Sequence, residues 1–294
     1  MKIGIVTVLF KSDNVIDGFI DSMNAQTFEN FHILFVENDV ANPHCERVID
    51  EMLTTPFTFV RNYENTGVAA GNNQGIDFFL CDRSYTHLLF LNNDIEVDPD
   101  FLQKHVQILQ LHPEVDALAP KMFYYKPEDK VWYAGGKLSY LKGGSRHFGH
   151  NKPDRLTTDA LYRVDYAPTC SLIVKTWQLR KAGIRMWEEL FVYYDDTVFC
   201  HELNQAGFRM YFTPTIRLRH KISSSTGGSK SDFSRYFMTR NWLYWGLKRR
   251  NYAVLTSALA LSGFHFVARN KIEIRAMRDA LQMTRALPQQ AVAD

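Results

Sequence analysis

Two short groups of polar residues in this sequence have the composition of a reaction centre. The first is Asn92-Asn93-Asp94, which directly follows the apolar run 88–91 and precedes Pro99. Such a run is typical of a buried strand in a parallel sheet, so Asp94 is predicted at the carboxyl end of a strand, where ligands bind in open α/β sheets. Oxygen ligands there suit Mg²⁺ or Mn²⁺ bridging a diphosphate. The alternative is an ordinary turn, since Asn and Asp are common turn residues.

The second group is the pair of adjacent carboxylates Asp195 and Asp196, which follows the largely aromatic run 191–194. Adjacent side chains point to opposite sides of an extended chain, or lie one helical step apart at the start of a helix. One carboxylate can therefore cap the helix while the other faces a cleft. The alternative is that both carboxylates only cap the helix.

Small residues recur at Gly67, Ala69, Gly71 and Gly75, where a helix is expected to begin after the strand 57–60. Small side chains permit a ligand to approach the backbone and the positive N-terminus of the helix, which suits phosphate. The pattern is neither GxGxxG after the first strand nor a P-loop, since no Gly-Lys-Ser/Thr occurs. The alternative is tight packing of the helix against the sheet.

The elements that must position these groups alternate between strand and helix, as is typical of an α/β fold. Helices are predicted over 14–23 and 101–111, and the Gly-rich segment 133–151 is expected to form a loop over the sheet. Pro214 is expected to end the last strand. Strands are predicted over 2–10, 31–36, 57–60, 88–91, 117–123 and 207–212. The segment 166–174 is expected to lead into a further strand.

Composition limits the possible classes of protein. With 294 residues, of which 46% are hydrophobic, the chain can bury one large core, or one core plus a small appendage. The net charge of +2 is too small to indicate nucleic-acid binding. The four cysteines show neither CxxC nor Cys/His metal spacing, so we expect a reduced, intracellular chain. The N-terminus runs directly into the first predicted strand without a signal peptide, so the chain is expected in the cytoplasm.

These motifs together resemble those of glycosyltransferase family 2, in its rhamnosyltransferase-like branch, over residues 1–250. The family's Asn-x-Gly-x-Ala-x-Gly-x-Asn-x-Gly pattern is matched in full over 65–75, and Asn92-Asn93-Asp94 resembles its Asp-x-Asp element. The resemblance implies the GT-A fold, a Rossmann-like α/β fold whose mostly parallel mixed sheet has helices on both faces. It also implies inverting transfer of a sugar from a nucleotide diphosphate, dTDP-rhamnose or a UDP-sugar. The acceptor would be a hydroxyl of a growing cell-surface glycan or of a lipid-linked molecule.

The resemblance also implies roles for individual residues. Asp196 corresponds to the general base, and Asp94 and His220 to the residues that hold the Mg²⁺ or Mn²⁺ ion. Asn92 corresponds to the position that contacts the ribose, and Glu37 to the carboxylate that accepts the N3 proton of uracil or thymine. Because Asn92 replaces the commoner Asp, the metal is expected to bind more weakly without nucleotide. The other predicted nucleotide-binding and donor-binding residues are Thr7, Asn65, Gly67, Gly71, Asn73, Asn93, Thr169, Asp195 and Lys230.

Two domains are predicted, a GT-A catalytic domain over 1–230 and a basic helical extension over 231–294. Twelve Lys or Arg residues lie between positions 221 and 285, against three acidic residues. The apolar stretch 253–268 is too short to span a membrane comfortably. It is expected either to lie on the inner face of the cell membrane or to pack as a hairpin on the catalytic domain or on a second subunit.

No motif beyond Lys230 carries the chemistry, so truncation after Thr239 is expected to leave hydrolysis of the donor intact. The same truncation is expected to release the protein from anionic liposomes, because it removes the cations that flank the apolar stretch. These cations are Arg240, Lys248, Arg249, Arg250, Arg269 and Lys271.

Two other functions are open. A sugar nucleotidyltransferase would have a Gly-rich, Arg-containing loop directly after the first strand, which residues 8–12 do not provide. A non-catalytic module that binds sugar or membrane would not need both Asp94 and Asp196. The preferred interpretation implies a nucleotide-sugar donor, a glycan or lipid-linked acceptor, a membrane surface and a second copy of the chain as partners, and no nucleic acid.

Overall fold

Short apolar strands and intervening helices account for most of the chain. The computed structural model describes residues 1–40, 44–221, 231–267 and 270–285. The strands are β1 (Ile3–Leu9), β2 (Phe31–Glu37), β3 (Phe57–Arg61), β4 (His87–Leu91), β5 (Ile95–Val97), β6 (Ala117–Tyr124), β7 (Lys130–Tyr133), β8 (Gly136–Ser139), β9 (Gly144–His147), β10 (Lys152–Pro153), β11 (Tyr162–Arg163), β12 (Ser171–Lys175) and β13 (Met210–His220). The helices are α1 (Ile16–Asn24), α2 (His44–Met52), α3 (Gly67–Cys81), α4 (Phe101–Leu111), α5 (Thr176–Ala182), α6 (Asp195–Gln205), α7 (Asp232–Lys248), α8 (Tyr252–Val267) and α9 (Lys271–Arg285).

Four parallel strands form one half of the sheet, in the order β3-β2-β1-β4, with β3 at the edge. Nearly every residue of β1, β2 and β4 is buried, as expected for parallel strands covered by helices on both faces. Leu9 of β1 pairs with Glu37 of β2, so the carboxyl ends of these strands lie side by side. Strand β12 then pairs antiparallel with β4 and with β6. The α/β fold class predicted from the sequence is confirmed.

The long strand β13 ends on the side of the sheet where the carboxyl ends of the parallel strands lie. It pairs parallel with β6 and antiparallel with β5, and His220 lies opposite Ile95. Pro214 was expected to end this strand, but the register shifts between Thr213 and Arg217 and the strand continues. A proline lacks the N–H that a ladder bond needs, and a bulge removes that need. The bulge therefore lets His220 reach the start of β5.

The segment 133–151 contains ordered strands instead of the expected loop. Strands β8 and β9 form a two-stranded antiparallel sheet. The turn of this hairpin includes Gly143, whose φ is 64°. A Cβ at that position would collide with Val254 and Trp242. Glycine therefore allows the hairpin to lie directly against the C-terminal helices.

The three C-terminal helices pack against one another and against the rest of the chain. A second core, separate from the core of the sheet, combines Leu190 and Val198 with Leu243, Tyr244 and Trp245. Hydrophobic burial therefore joins α7 to the segment around the start of α6. In the part of the chain that the structure describes, no helix is both long and apolar enough to cross a membrane.

Candidate active site

A cleft opens where the carboxyl ends of β1, β2 and β4 meet the start of α3. We call it the strand-end cleft, and five of its lining residues were predicted from the sequence: Asn65, Gly67, Asn92, Asn93 and Asp94. The other lining residues are Val8, Phe10, Asn38, Val68, Phe191, Val192 and Phe233. Apolar walls with a few amide groups and one carboxylate are typical of a site for a small molecule.

Asp94 and His220 face each other beside this cleft. Asp94 Oδ1 lies 3.2 Å from His220 Nε2, and both side chains are nearly buried. The contact arises because β13 pairs with β5, which begins directly after Asp94. The ring of Trp132 packs edge-on against His220, with the ring centroids 4.7 Å apart. The structure therefore brings together the two residues predicted to bind metal.

The chemistry of this pair fits a divalent ion. A carboxylate oxygen and an imidazole nitrogen that converge on one point suit Mn²⁺ or Mg²⁺. The other ring nitrogen of His220, Nδ1, is buried without a hydrogen-bond partner among the described residues, so Nε2 makes the polar contact of the ring. The described residues contain no cluster of three or more His, Cys, Asp or Glu side chains.

The adjacent carboxylates at the start of α6 have different environments. Burial, and next the charge of Asp196, raises the pKa of Asp195 to about 7, although hydrogen bonds from the backbone and from Thr169 oppose the rise. Asp196 is half-buried. Its Oδ2 accepts a hydrogen bond of 2.6 Å from the Tyr166 hydroxyl, and its Oδ1 accepts one of 2.6 Å from the backbone N–H of Thr197. Asp196 is therefore the accessible and oriented carboxylate of the pair, as a general base must be.

A turn at Cys170 lies near both acidic centres. Burial, and then the charges of Asp94 and Asp196, raises the pKa of the Cys170 thiol. The backbone N–H of Asn92 donates to the Cys170 carbonyl oxygen at 2.9 Å, which ties the turn to the strand-end cleft. Asp196 is not among the residues that line that cleft.

The start of α3 contacts the loop that precedes α6. Asn65 Oδ1 accepts a hydrogen bond of 2.9 Å from the backbone N–H of Gly67. Gly67 has a φ of +84°, and a Cβ there would lie 2.5 Å from the Phe191 carbonyl oxygen. Only glycine combines this backbone conformation with so close an approach. Asn65 and Gly67 therefore form one wall of the strand-end cleft.

Farther along α3 the predicted residues pack the helix instead of bordering the cleft. A Cβ at Gly71 or at Gly75 would collide with side chains of β1, so tight packing explains both glycines. The Asn73 side chain donates to the Met186 carbonyl oxygen at 3.0 Å and accepts from the Met186 N–H at 2.8 Å. Thr7 is fully buried in β1. Gly71 and Asn73 therefore hold elements together, and none of Thr7, Gly71 and Asn73 lines the cleft.

The end of β2 carries one predicted residue and one that sequence reasoning missed. Burial raises the pKa of Glu37 to about 7, against the effect of a hydrogen bond from the Asp39 N–H at 2.6 Å. Glu37 lies just behind the strand-end cleft, and its neighbour Asn38 lines it. Asn38 Nδ2 donates to the Gly67 carbonyl oxygen at 3.2 Å. The position of Asn38 at a strand end was the available signal. The predicted cation Lys230 lies outside the described residues.

The loop of residues 190–194 connects the strand-end cleft to the carboxylate pair. Phe191, Tyr193 and Tyr194 have φ values of 66°, 62° and 65°. A non-glycine residue in this left-handed region costs about 1 kcal/mol or more. The 190–194 loop therefore needs support from its surroundings.

Helix α7 supplies that support. Asn241 is fully buried, and its Nδ2 lies 2.9, 2.9 and 2.8 Å from the carbonyl oxygens of Leu190, Val192 and Tyr193. Arg240 also donates to the Leu190 carbonyl oxygen, at 2.8 Å. These bonds satisfy the carbonyl groups of a loop that has no regular structure. Sequence reasoning found no motif with a chemical role in this part of the chain and therefore missed the contribution of α7.

Helix α7 also reaches the strand-end cleft itself, because Phe233 is one of its lining residues. The predicted domain boundary after residue 230 therefore separates α7 from a site that it helps to build. Truncation after Thr239 would remove Asn241, so the expectation that donor hydrolysis survives this truncation changes. We now expect the truncation to disturb the site.

Comparisons with known proteins identify the family of this chain. The model of glycosyl transferase family 2 (Glycos_transf_2) matches residues 4–169, more than half of the chain. The O-antigen biosynthesis protein RfbC of Myxococcus xanthus is 24% identical over 253 residues, which cover 82% of this chain and 19% of that protein. An uncharacterized glycosyltransferase of Haemophilus influenzae is 26% identical over 115 residues, which cover 38% of this chain and 34% of that protein. The chain thus spans about a fifth and about a third of the lengths of these curated relatives.

Solved structures with the GT-A fold have the same architecture. S. aureus TarS 1-349 in complex with UDP-GlcNAc has a TM-score of 0.62 and 16% identity, covering 96% of this chain and 81% of that one. GalNAc-T7 with UDP, GalNAc and Mn²⁺ has a TM-score of 0.61 and 15% identity, covering 85% of this chain and 50% of that one. The fold is thus GT-A, and the family match over residues 4–169 shows that the chain belongs to glycosyl transferase family 2.

Proposed function

We propose that this protein is an inverting glycosyltransferase that moves a sugar from a nucleotide-diphosphate donor to an acceptor hydroxyl with the help of Mg²⁺ or Mn²⁺. The observation that carries the proposal is the Asp94–His220 pair beside the strand-end cleft, together with the accessible carboxylate of Asp196, whose charge acts on the same Cys170 turn. With the donor diphosphate bound at the Asp94–His220 pair and the acceptor hydroxyl bound at Asp196, the donor sugar would lie between them.

The donor is a UDP- or dTDP-linked sugar, with dTDP-rhamnose among the candidates. The TarS structure contains UDP-GlcNAc and the GalNAc-T7 structure contains UDP, which supports a pyrimidine nucleotide for a chain of the same fold. In this proposal Glu37 accepts the N3 proton of the base, Asn92 contacts the ribose, and Asn65 and Asn93 line the rest of the donor site. Lys230 is proposed to contact the diphosphate.

Asp94 and His220 would hold the divalent ion. Mn²⁺ is present in the GalNAc-T7 structure, which supports a requirement for such an ion here. When bound, the ion neutralises the negative charge that develops on the leaving diphosphate. The edge-on packing of Trp132 keeps the His220 ring turned toward Asp94.

Asp196 takes the proton of the acceptor hydroxyl. As the O–H bond breaks, the oxygen forms a bond to the anomeric carbon, and the bond from that carbon to the diphosphate breaks on the opposite face. This displacement inverts the configuration and needs no covalent enzyme intermediate. The hydrogen bonds from Tyr166 and Thr197 keep the base oriented. The buried Asp195, which accepts a hydrogen bond from Thr169, fixes the start of α6.

The products distinguish this reaction from the alternatives. The full-length protein is incubated with UDP-GlcNAc or dTDP-rhamnose and Mn²⁺, and release of UDP or dTDP is measured, with Asp196→Asn as the matched control. Release by the wild type alone supports glycosyl transfer or its partial reaction with water. A sugar nucleotidyltransferase would form pyrophosphate from a nucleoside triphosphate and a sugar phosphate. A non-catalytic module would bind the nucleotide sugar without releasing nucleotide, and either result would refute the proposal.

The acceptor is proposed to be a cell-surface glycan or lipid-linked molecule, in line with the name of the Myxococcus xanthus relative. We propose that α8 lies on the inner membrane surface near such acceptors. It exposes Leu259 and Tyr252, and exposed cations flank it at Arg250 and Lys271. Packing of α8 against a second copy of the chain is the alternative outcome.

Other residues expected at the membrane have partners within the chain. Lys248 lies 3.1 Å from Glu189 and 3.8 Å from the ring centroid of Trp187. Arg240 contacts the 190–194 loop. The proposed membrane contact therefore depends on the apolar face of α8 more than on the number of cations. Arg269 lies outside the described residues.

A further inference from the structure

A chain of hydrogen bonds extends from Asp196 to the protein surface. The Tyr166 hydroxyl lies 2.6 Å from Asp196 Oδ2. His147 Nε2 lies 3.2 Å from the same hydroxyl, and His147 Nδ1 lies 3.1 Å from the Trp132 carbonyl oxygen. Tyr166 is buried, whereas His147 is partly exposed at the end of β9. This hydrogen-bond chain therefore links Asp196 to the partly exposed His147 ring through one buried hydroxyl.

This hydrogen-bond chain lacks one hydrogen while Asp196 is ionised. A carbonyl oxygen only accepts, so His147 Nδ1 carries a hydrogen that it donates to Trp132. An ionised Asp196 also only accepts, so the single hydrogen of the Tyr166 hydroxyl is donated to Asp196. With a neutral imidazole, no hydrogen then remains between Tyr166 Oη and His147 Nε2. The chain is one proton short while Asp196 is ionised and His147 is neutral.

One added proton fills every link. With the proton on Asp196, the carboxylic acid donates to Tyr166 and the tyrosine hydroxyl donates to His147 Nε2. With the proton on His147, Nε2 donates to Tyr166 and the tyrosine hydroxyl donates to the Asp196 carboxylate. The Ser145 hydroxyl also bonds to the Tyr166 hydroxyl and can adjust to either arrangement. Each link between Asp196, Tyr166 and His147 therefore contains a hydrogen only after Asp196 has accepted a proton.

We propose that Tyr166 and His147 form one proton-accepting unit with Asp196, so that the proton taken from the acceptor hydroxyl is shared along this hydrogen-bond chain. This inference rests on the proposed function. The acceptor O–H bond breaks and its proton goes to Asp196. The proton on Asp196 then passes to Tyr166 Oη as the hydrogen of Tyr166 passes to His147 Nε2. Tyr166 ends the step neutral, and the net movement is one proton from Asp196 to His147.

Several groups around the two ends of this hydrogen-bond chain act on its protonation. The net effect on His147 is a lowered pKa, because burial outweighs the opposing effects of the Trp132 hydrogen bond and the Asp196 charge, and His150 and His220 lower it further. Burial raises the pKa of Tyr166 well above its ordinary value, so the hydroxyl remains protonated between transfers. Next to Asp196 lie the carboxyl group of Asp195 and the hydroxyl of Tyr194, the latter with a raised pKa caused first by burial.

Tyr166 contacts Asp196 directly and His147 acts through Tyr166, so both are positioning residues. We test them with Tyr166→Phe and His147→Gln in the full-length protein. Both variants should keep the donor Kd of the wild type, because neither residue lines the strand-end cleft. The kcat should fall about tenfold to hundredfold, a part of the 10²–10⁴ that a general base provides. His147→Ala should regain activity when imidazole is added, whereas Tyr166→Phe should not.

A second measurement does not depend on turnover. The pKa of His147 is followed by NMR of ¹⁵N-labelled histidine in the wild type, Asp196→Asn and Tyr166→Phe. Loss of the Asp196 charge should lower it in Asp196→Asn, and loss of the hydroxyl that bonds to His147 Nε2 should lower it in Tyr166→Phe. A His147 titration that is identical in all three proteins overturns the proposal, even if no glycosyl transfer is found. Unchanged kcat in His147→Gln, or a donor Kd that rises as far as kcat falls, also overturns it. Absence of any nucleotide release by the wild type would instead refute the proposed function.

Discussion

The buried amide nitrogen of Asn241 lies 2.8 Å from the carbonyl oxygen of Tyr193, although the two residues belong to different predicted domains. The same nitrogen also reaches Leu190 and Val192. These contacts make α7 a structural part of the active site, because they hold the loop that precedes the carboxylate pair.

Replacing Asn241 by alanine should therefore harm both stability and the donor site. The change leaves buried carbonyl groups without partners, which costs about 1–3 kcal/mol. We expect a lower midpoint of urea unfolding and weaker binding of UDP or dTDP, measured by titration calorimetry. The matched control is Met238→Ala, because Met238 is exposed on the same helix. Equal nucleotide affinity in the wild type and Asn241→Ala would contradict a role of α7 in the site.

Replacing Asp94 by asparagine should abolish the effect of Mn²⁺ on nucleotide binding. The variant keeps the shape of the side chain but removes the negative charge that faces His220. Thermal unfolding is measured with UDP and with dTDP, each with and without Mn²⁺. A nucleotide at about a hundred times its Kd adds roughly 2.7 kcal/mol, and this gain should depend on Mn²⁺ in the wild type alone.

The control for that experiment is Asp98→Asn, which removes an exposed carboxylate four residues away. It should behave as the wild type does. Retention of the Mn²⁺ effect in Asp94→Asn would exclude Asp94 as a ligand. GDP is included in the same series, and a shift equal to that of UDP would exclude a preference for pyrimidines.

The Asp196→Asn variant should separate catalysis from binding. Asparagine nearly preserves the shape of the side chain but cannot accept the proton, and loss of a general base costs about 10² to 10⁴ in rate. The donor Kd should stay near that of the wild type while kcat falls. The measurement is release of nucleotide diphosphate at saturating donor. If the donor Kd worsened as much as kcat, Asp196 would be a binding or folding residue.

Glu37 should make stability depend on pH. Burial raises the pKa of Glu37 from 4.5 to about 7. Between these values the folded protein holds a proton that the unfolded chain has lost, so the free energy of unfolding should fall as pH rises from about 4.5 to 7. One unit of pKa shift corresponds to about 1.4 kcal/mol. Urea unfolding between pH 4.5 and 8 measures the slope.

Asp195, whose pKa is also raised to about 7, contributes to the same slope, so Glu37→Gln should reduce the slope without removing it and should be more stable than the wild type at pH 8. Glu29→Gln changes an exposed carboxylate and should keep the wild-type slope. A wild-type slope in Glu37→Gln would show that another group causes the dependence.

The membrane proposal is tested by a pair of matched substitutions. Leu259 on α8 and Leu111 on α4 are 73% and 76% exposed. Leu259→Glu should weaken co-sedimentation with anionic liposomes, whereas Leu111→Glu should leave it unchanged. Because the contact is proposed to be largely apolar, high salt should release the protein only in part. Loss of a dimer instead of loss of liposome binding in Leu259→Glu would favour a second subunit on α8.

The strands and the strand-end residues were predictable because their signals are local. The apolar run before Asn92 identifies a buried strand, and polar residues at its end mark the site. The GT-A fold could be predicted for the same reason, since each motif lies within a few residues of its strand. Pro214 misled the prediction, because a bulge in a long strand depends on the neighbouring strands and not on the proline alone.

The contacts that complete the site could not be read from local pattern. Tyr166 reaches Asp196 across 30 residues, and Asn73 reaches Met186 across 113. Each depends on how helices and turns pack on the sheet. Asn73 also shows that a motif can be matched in full while one of its members serves packing.

The left-handed residues of the 190–194 loop have a consequence for hybrid enzymes. Exchange of donor or acceptor preferences between relatives is commonly attempted by joining segments at a presumed domain border. A junction after residue 230 would combine this loop with a foreign helix whose side chains were selected for another loop. A junction after Lys248, the last residue of α7, keeps the loop and its supporting amide together. The exchangeable piece of this transferase therefore extends to the end of α7.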